Sequence, residues 1–177
     1  MLKKLFCIFC FYFLFSPFVF SKELYFMPQE QEKAIKSLIQ TIKSSQKTLD
    51  IAIYSFTNRE ISKAIRDTAK KGVKVRIIYD KKSNKDNDYS TIGYLAKLKN
   101  IQTCLLEGNR SYNGKYNGLM HTKMAIIDDK HLILGSANWS KSAFETNYET
   151  LLILQDKDFI QKAHKSFNAM FNKCEKY

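Results

Sequence analysis

The stretch MHTKMAIIDDKHLILGSANWS, residues 120–140, decides how the rest of the chain is read. The apolar content from Leu119 to Ile127 predicts a strand. Its two-residue alternation sets His121, Lys123 and Ala125 on one face and Met120, Thr122, Met124 and Ile126 on the other. An imidazole and an ammonium therefore point the same way, with backbones about 6–7 Å apart. A lone strand histidine usually serves packing, and a lone strand lysine usually faces water. Side by side in an apolar strand they call for solvent or an anion, because burying an unpaired ammonium is costly. Asp128, Asp129 and Lys130 supply turn chemistry, and His131 to Leu134 form the returning strand. It ends in Gly135, Ser136, Ala137 and Asn138, where a glycine permits close backbone approach and a hydroxyl and an amide project into the same place.

Upstream, strands alternate with helices. Glu23 to Met27 reads as a strand, Pro28 suits a helix start, and Ala34, Ile35, Leu38, Ile39 and Ile42 form an apolar stripe that ends near Ser45. Leu49 to Phe56 is the next strand. Thr57 and Glu60 have capping-box spacing at the start of a helix that closes at Gly72, and Val73 to Tyr79 is a third strand. This β-α-β-α-β order predicts parallel strands with right-handed crossovers. Asp80 to Asp88, DKKSNKDND, lacks the central glycine and closing glutamate of a calcium loop and reads as a solvated connection. Tyr89 to Leu98 suits a short helix and Ile101 to Leu106 a strand.

Next comes EGNRSYNGKYNG, residues 107–118, too polar to build a core. Its Arg110, Tyr112, Lys115 and Tyr116 interleave cations with rings, the composition of a lip that tracks phosphates and stacks bases. An ordinary mobile loop has the same composition, and both readings stand. Beyond Ser140, Thr150 to Leu154 reads as a strand. Lys157 to Asn172 reads as a helix with Phe159, Ile160, Ala163, Phe167, Met170 and Phe171 on one face.

The 177 residues suit one domain, over 22–177, behind a leader. Residues 1–21 carry two lysines, an apolar run from Leu5 to Phe20 and a small residue, Ser21, at the expected cut. This is a secretory signal, with an uncleaved amino-terminal anchor as the competing reading. Either exports the domain, leaving it periplasmic, secreted or held at the inner membrane. Export permits a disulfide between Cys104 and Cys174, and two separate thiols fit equally well. A net charge of +12 favours polyanions, either nucleic acid or acidic lipid headgroups. No cysteine or histidine spacing of the zinc type occurs, so no metal or other cofactor is expected.

His121, Lys123, Asp128, Gly135, Ser136 and Asn138 reproduce the H-x-K-x4-D-x6-G-S-x-N signature, and on those six residues the chain resembles the phospholipase D superfamily. The resemblance implies an α/β fold: a single phospholipase D-like domain with a central mixed β-sheet flanked by helices on both faces. Short, basic, exported members with one motif resemble this chain over most of its mature length, and these are bacterial Nuc-type endonucleases.

Phosphodiester cleavage needs a nucleophile on one side of phosphorus and a proton donor for the departing oxygen on the other. One imidazole cannot stand on both sides, and the motif occurs once. His131 begins a strand at a turn and His164 belongs to the terminal helix, so a homodimer with two facing His121 side chains is expected. The resemblance implies that one His121 attacks phosphorus, that its partner protonates the leaving group, and that Lys123 and Asn138 bind the phosphate oxygens. Ser136 would support that shell and Asp128 would hold the turn. Glu149 matches the acid that hydrogen-bonds the histidine; a solvated glutamate at a strand start is the alternative.

The expected function is metal-independent hydrolysis of DNA or RNA. Single strands are favoured, because Tyr112, Tyr116 and Trp139 could stack on unpaired bases. Two further readings are a phospholipase D or phosphatidyl transferase acting on lipid headgroups, and a non-catalytic DNA-binding component of an uptake machine.

Overall fold

The computed structural model describes residues 22–177; the signal or anchor expected over residues 1–21 lies outside the described residues. The expected parallel core forms from β2 (Thr48–Ile53), β3 (Lys74–Asp80) and β4 (Ile101–Arg110), linked through α2 (Arg59–Lys70) and the short helices α3 (Lys81–Asn84) and α4 (Ile92–Leu95). The cap of α2 is Asn58 rather than Thr57. Its side-chain oxygen accepts from the N–H groups of Glu60 and Ile61 at 2.9 and 3.1 Å, satisfying donors that a helix start leaves unpaired. The helix closes into Gly72, whose φ of 99° is readily adopted only by glycine.

The first strand, β1 (Lys22–Met27), does not join this parallel group directly. Helix α1 (Gln31–Lys43) leads from it to β2, and three antiparallel strands lie between them: β6 (Lys123–Ile127), β7 (His131–Gly135) and β8 (Glu149–Leu154). The order becomes β1-β8-β7-β6-β2-β3-β4-β5, where β5 is Asn117–Leu119. A β-α-β pattern specifies relative direction, but not how many strands the crossover skips. Here β1 and β2 point the same way, three strands apart.

Cross-strand pairing fixes the two faces. One row runs through Leu24, Leu152, Leu134, Met124, Ala52, Ile78 and Cys104, covered along its middle by Ile160, Ala163 and Phe167 of α6 (Lys157–Phe171). The residues between them, including Leu49, Ile51, Ile77, Ala125, Ile133 and Ile153, meet α1, α2 and α5 (Lys141–Glu145) on the other side. Each large aliphatic side chain so buried contributes about 1.5–3 kcal/mol. Helices thus lie on both faces of a mixed sheet. At the β1 edge the α6 face stays open, and Leu24 and Phe26 are 52% and 53% exposed.

Three polar segments are more ordered than their composition suggests. Asp80 is wholly buried at the end of β3, accepting from the N–H of Ser83 at 2.8 Å and of Met120 at 2.9 Å, and Asn84 is buried too, while Lys82, Lys85, Asp86 and Asp88 are exposed as a solvated connection requires. Half of the expected loop 107–118 is strand, since β4 runs on to Arg110 and β5 returns beside it. Gly108 and Gly118 make that hairpin possible: a Cβ on Gly108 would lie 2.5 Å from the Gly118 carbonyl carbon. A last strand, β9 (Glu175–Lys176), pairs with β4, and Cys104 and Cys174 are joined there as a disulfide with Cα atoms 5.7 Å apart.

The turn from β6 to β7 has φ of 50° at Asp128 and 55° at Asp129, as a type I′ turn requires. Asp128 tethers it to β2, accepting from the N–H groups of Gln46, Lys47 and Thr48 at 2.6, 2.7 and 2.8 Å. Partial burial pushes its carboxyl upward, but these bonds and Lys130 outweigh that effect and hold it below the ordinary aspartate range. A depressed folded value stabilises the protein fully above the unfolded pKa of about 3.9, and the gain is lost as pH falls through the folded value. Asp128→Ala is expected to cost about 2–4 kcal/mol in urea unfolding at neutral pH. The gap between the two proteins should narrow as pH drops below about 4.

Candidate active site

Strands β2, β3 and β7 end, and β6 and β8 begin, along one rim of the sheet, as the pairs Ile53 with Lys123, Met124 with Leu134, and Gly135 with Leu151 require. The strand expected over Leu119–Ile127 is broken at residues 120–122. The Met120 N–H turns to Asp80 instead of a neighbouring strand, while the Thr122 carbonyl accepts from the Tyr54 N–H at 3.0 Å. The break lifts His121 out of the sheet into solvent and leaves Lys123 buried as the first residue of β6. The shared face expected for the two side chains survives. Lys123 Nζ donates to the His121 carbonyl at 3.0 Å, lies 3.2 Å from each ring nitrogen, and sits 5.0 Å above the Tyr54 ring. Tyr54 also packs its ring 4.4 Å from the imidazole.

Across the rim, Gly135 lets β7 press against β8. A Cβ there would lie 2.1 Å from the Thr150 carbonyl oxygen, a clash of backbone that no rotamer relieves. That contact sets Ser136, whose hydroxyl donates to Glu149 and accepts from the Thr150 N–H at 3.0 Å. Glu149 is therefore held by Ser136, and the hydrogen bond to His121 implied by the resemblance is not formed in the single chain. Asn138 brings a buried amide oxygen that has no hydrogen-bond partner among the described residues. An amide oxygen accepts, so this atom calls for a donor, and it is the Asn138 amide nitrogen that can donate to an anion.

Trp139 cannot stack on a base. It is 1% exposed, edge-on to Phe56 at 5.1 Å, and its backbone pairs with the chain after β2: its N–H donates to Ser55, and its carbonyl accepts from Thr57 and Asn58. There a large apolar side chain leaves water while its backbone anchors the Gly135–Asn138 segment. Tyr112 and Tyr116 are fully and largely exposed, as the stacking reading needs. Arg110 and Lys115 share that hairpin tip, with Arg110 Nε donating to the Gly114 carbonyl at 3.1 Å. Asp128 stands at the far end of β6, about 16 Å along the strand from Lys123. Among the described residues no cluster of three His, Cys, Asp or Glu is disposed to hold a metal.

The other histidines serve elsewhere. His131 pairs across from Ile127 beside Gln155, and burial pushes its imidazole below the usual range. His164 bridges Asp129 and Asp50, whose buried carboxylate holds Arg76 through two bonds of 2.7 and 2.6 Å. Sequence reasoning missed Asp80 and Tyr54. Asp80 carried one signal, a carboxylate closing an apolar strand; Tyr54 carried none, being one more β-former.

A single exposed imidazole beside a buried ammonium on this rim defines a site for an oxyanion. Residues 38–171 match the family described as "Cardiolipin synthase, PLD-like domain". NucT from Helicobacter pylori is 50% identical with a TM-score of 0.87, over 89% of this chain and 99% of that one. Nuc from Salmonella typhimurium, a phospholipase D family member, is 23% identical and shares the fold, with a TM-score of 0.76 over 89% and 98% of the two chains. The protein named mitochondrial cardiolipin hydrolase in Mus musculus is 28% identical over 144 residues, 81% of this chain and 61% of that protein. The chain spans between 51% and 61% of the length of three such mammalian relatives. It belongs to the phospholipase D superfamily.

Burial, opposed by Glu149 and Asp80, pulls the Lys123 ammonium below the usual lysine range. The unfolded chain thus keeps this proton to higher pH than the fold does, so stability rises as pH climbs through the lowered value. Lys123→Met removes the buried charge and should raise the melting temperature by about 2–4 °C while abolishing turnover. Gly135→Ala should do the opposite, with a loss of several kcal/mol seen as insoluble or early-melting protein.

Proposed function

We propose that the chain is a phosphodiesterase that hydrolyses DNA or RNA as a homodimer, favouring single strands and requiring no metal. The observation that carries this reading is the rim itself: one exposed imidazole per chain, touching a buried ammonium, with no second histidine within reach. In-line displacement needs a second imidazole opposite the first, and a second copy brings it across a two-fold axis. The open apolar face around Leu24 and Phe26, at the β1 edge beside Thr150, supports such pairing. The 50% identity to NucT over nearly its full length supports the nuclease assignment.

In the proposed reaction one His121 attacks phosphorus and forms a phosphohistidine. The partner His121 gives its proton to the leaving oxygen, then removes one from water as that water displaces the enzyme. Lys123 and Asn138 of both copies take up charge on the remaining oxygens, each well-placed donor contributing about 2.7–4 kcal/mol. Residues 1–21 are read as an export signal or anchor, and the Cys104–Cys174 disulfide supports an oxidising destination.

Lipid headgroup hydrolysis or transfer is the second reading, supported by relatives named for cardiolipin hydrolysis and synthesis. Digestion of labelled single- and double-stranded DNA in excess chelator separates the two. The wild type should cut, single strands faster, with a rate that falls steeply with salt. His121→Ala should lose at least about a thousandfold, since both roles fall on one side chain. Headgroup release from cardiolipin without DNA cleavage would favour the second reading. Loss of turnover in chelator would overturn the metal-free scheme, and a strictly monomeric active species would overturn the pairing.

A further inference from the structure

A cleft of about 350 Å³ opens at His121 and runs between the β4–β5 hairpin and the C-terminal half of α6. Its lining combines apolar Leu106, Leu119, Met120 and Met170 with polar Ser166 and Lys173. No part of the chemistry derived above uses it. Lys173 forms no ion pair among the described residues. Glu107, the acid of this lining, is occupied by the Asn117 side-chain amide at 2.6 Å. The hairpin root that makes the near wall is shaped for the purpose: the ladder shifts register between Glu107 and Arg110, and Gly108 and Gly118 hold the two strands backbone to backbone. Such bulges re-aim side chains beside a site.

We infer that this cleft seats the nucleoside adjoining the scissile phosphate, with the base against Leu119, Met120 and Met170 and the next phosphate on Lys173. The inference rests on the nuclease reading and adds to it a subsite and a direction for the strand. Size and chemistry select the occupant. A base has flat apolar faces and a hydrogen-bonding edge, which suit a lining that combines apolar and polar groups, and the volume falls at the small end of ligand pockets. A diacyl lipid would need a long unbroken apolar trough, and here Ser166, Asn109 and Lys173 interrupt it. From the cleft the strand would continue toward the exposed rings of Tyr112 and Tyr116 at the hairpin tip.

The test uses the full chain and a dinucleotide extended by one nucleotide on either its 5′ or its 3′ side, with products separated so that each bond is scored. In the wild type one extension should lower KM about tenfold, equivalent to about 1.4 kcal/mol. Lys173→Glu, at an exposed position just past α6, should shrink that step to about twofold or less with an unchanged melting curve, and Met170→Asp, half-buried on α6, should shrink it likewise in the protein that remains folded. Retention of the full step in both variants overturns the cleft and leaves the nuclease reading standing. A wild type that hydrolyses cardiolipin vesicles but no oligonucleotide overturns the nuclease reading and the subsite with it. A Met170→Asp variant that loses only vesicle turnover assigns the cleft to lipid and likewise overturns the proposal.

Discussion

An ammonium withdrawn from water at the edge of an apolar sheet is the constraint to which the rest of this molecule answers. Among the described residues Lys123 has no carboxylate in contact; it is held by a backbone carbonyl, an imidazole edge and the face of a phenol. Such an environment leaves a cation under-satisfied, and an anion placed against it is welcome. The fold accepts this cost because strands on both sides of β6 fix the position of its first residue.

Around that point three carboxylates act as fasteners rather than reagents. Asp80 takes the Met120 N–H and so dictates where the chain leaves one strand partner and reaches the next, which is what frees His121. Asp128 ties the β6–β7 turn to the start of β2, and Asp50 with Arg76 joins the sheet to α6, where the guanidinium also lies 4.9 and 5.0 Å from the Phe167 and Phe171 rings. Each carboxylate is paired with donors on a different element, as the two that are buried, Asp50 and Asp80, must be. The same helix and hairpin wall the cleft beside His121, so scaffold and proposed binding surface are one construction.

Much of the fold was legible because its signals are local. The strand-forming runs within residues 120–134 and the helical stripe through Ala34, Leu38 and Ile42 were realised, the first as two strands that begin at Lys123 and His131. The cap of α2 was misplaced by one residue, since Thr57 and Asn58 are both good caps and only the backbone path chooses. The polar runs 80–88 and 107–118 were read only in part: most of their side chains are exposed, as composition indicates, whereas Asp80, Asn84 and the Gly108–Gly118 pair are packed by bonds and contacts that composition does not record. Trp139 was misassigned in the opposite sense, since an aromatic ring next to a motif looks available until the Phe56 side of its pocket is known.

By itself the sequence determined the family, the identity of the chemical groups and the side of the strand on which they lie, because spacing along a β-strand converts directly into direction. Tertiary structure alone decided which of those groups meet. Strand order put three antiparallel strands between β1 and β2, the Asp80 contact broke the strand before Lys123, and Ser136 rather than His121 received Glu149. These outcomes turn on partners far apart in the chain, and a residue's own neighbours in sequence hold no information about which distant donor or acceptor will reach it first.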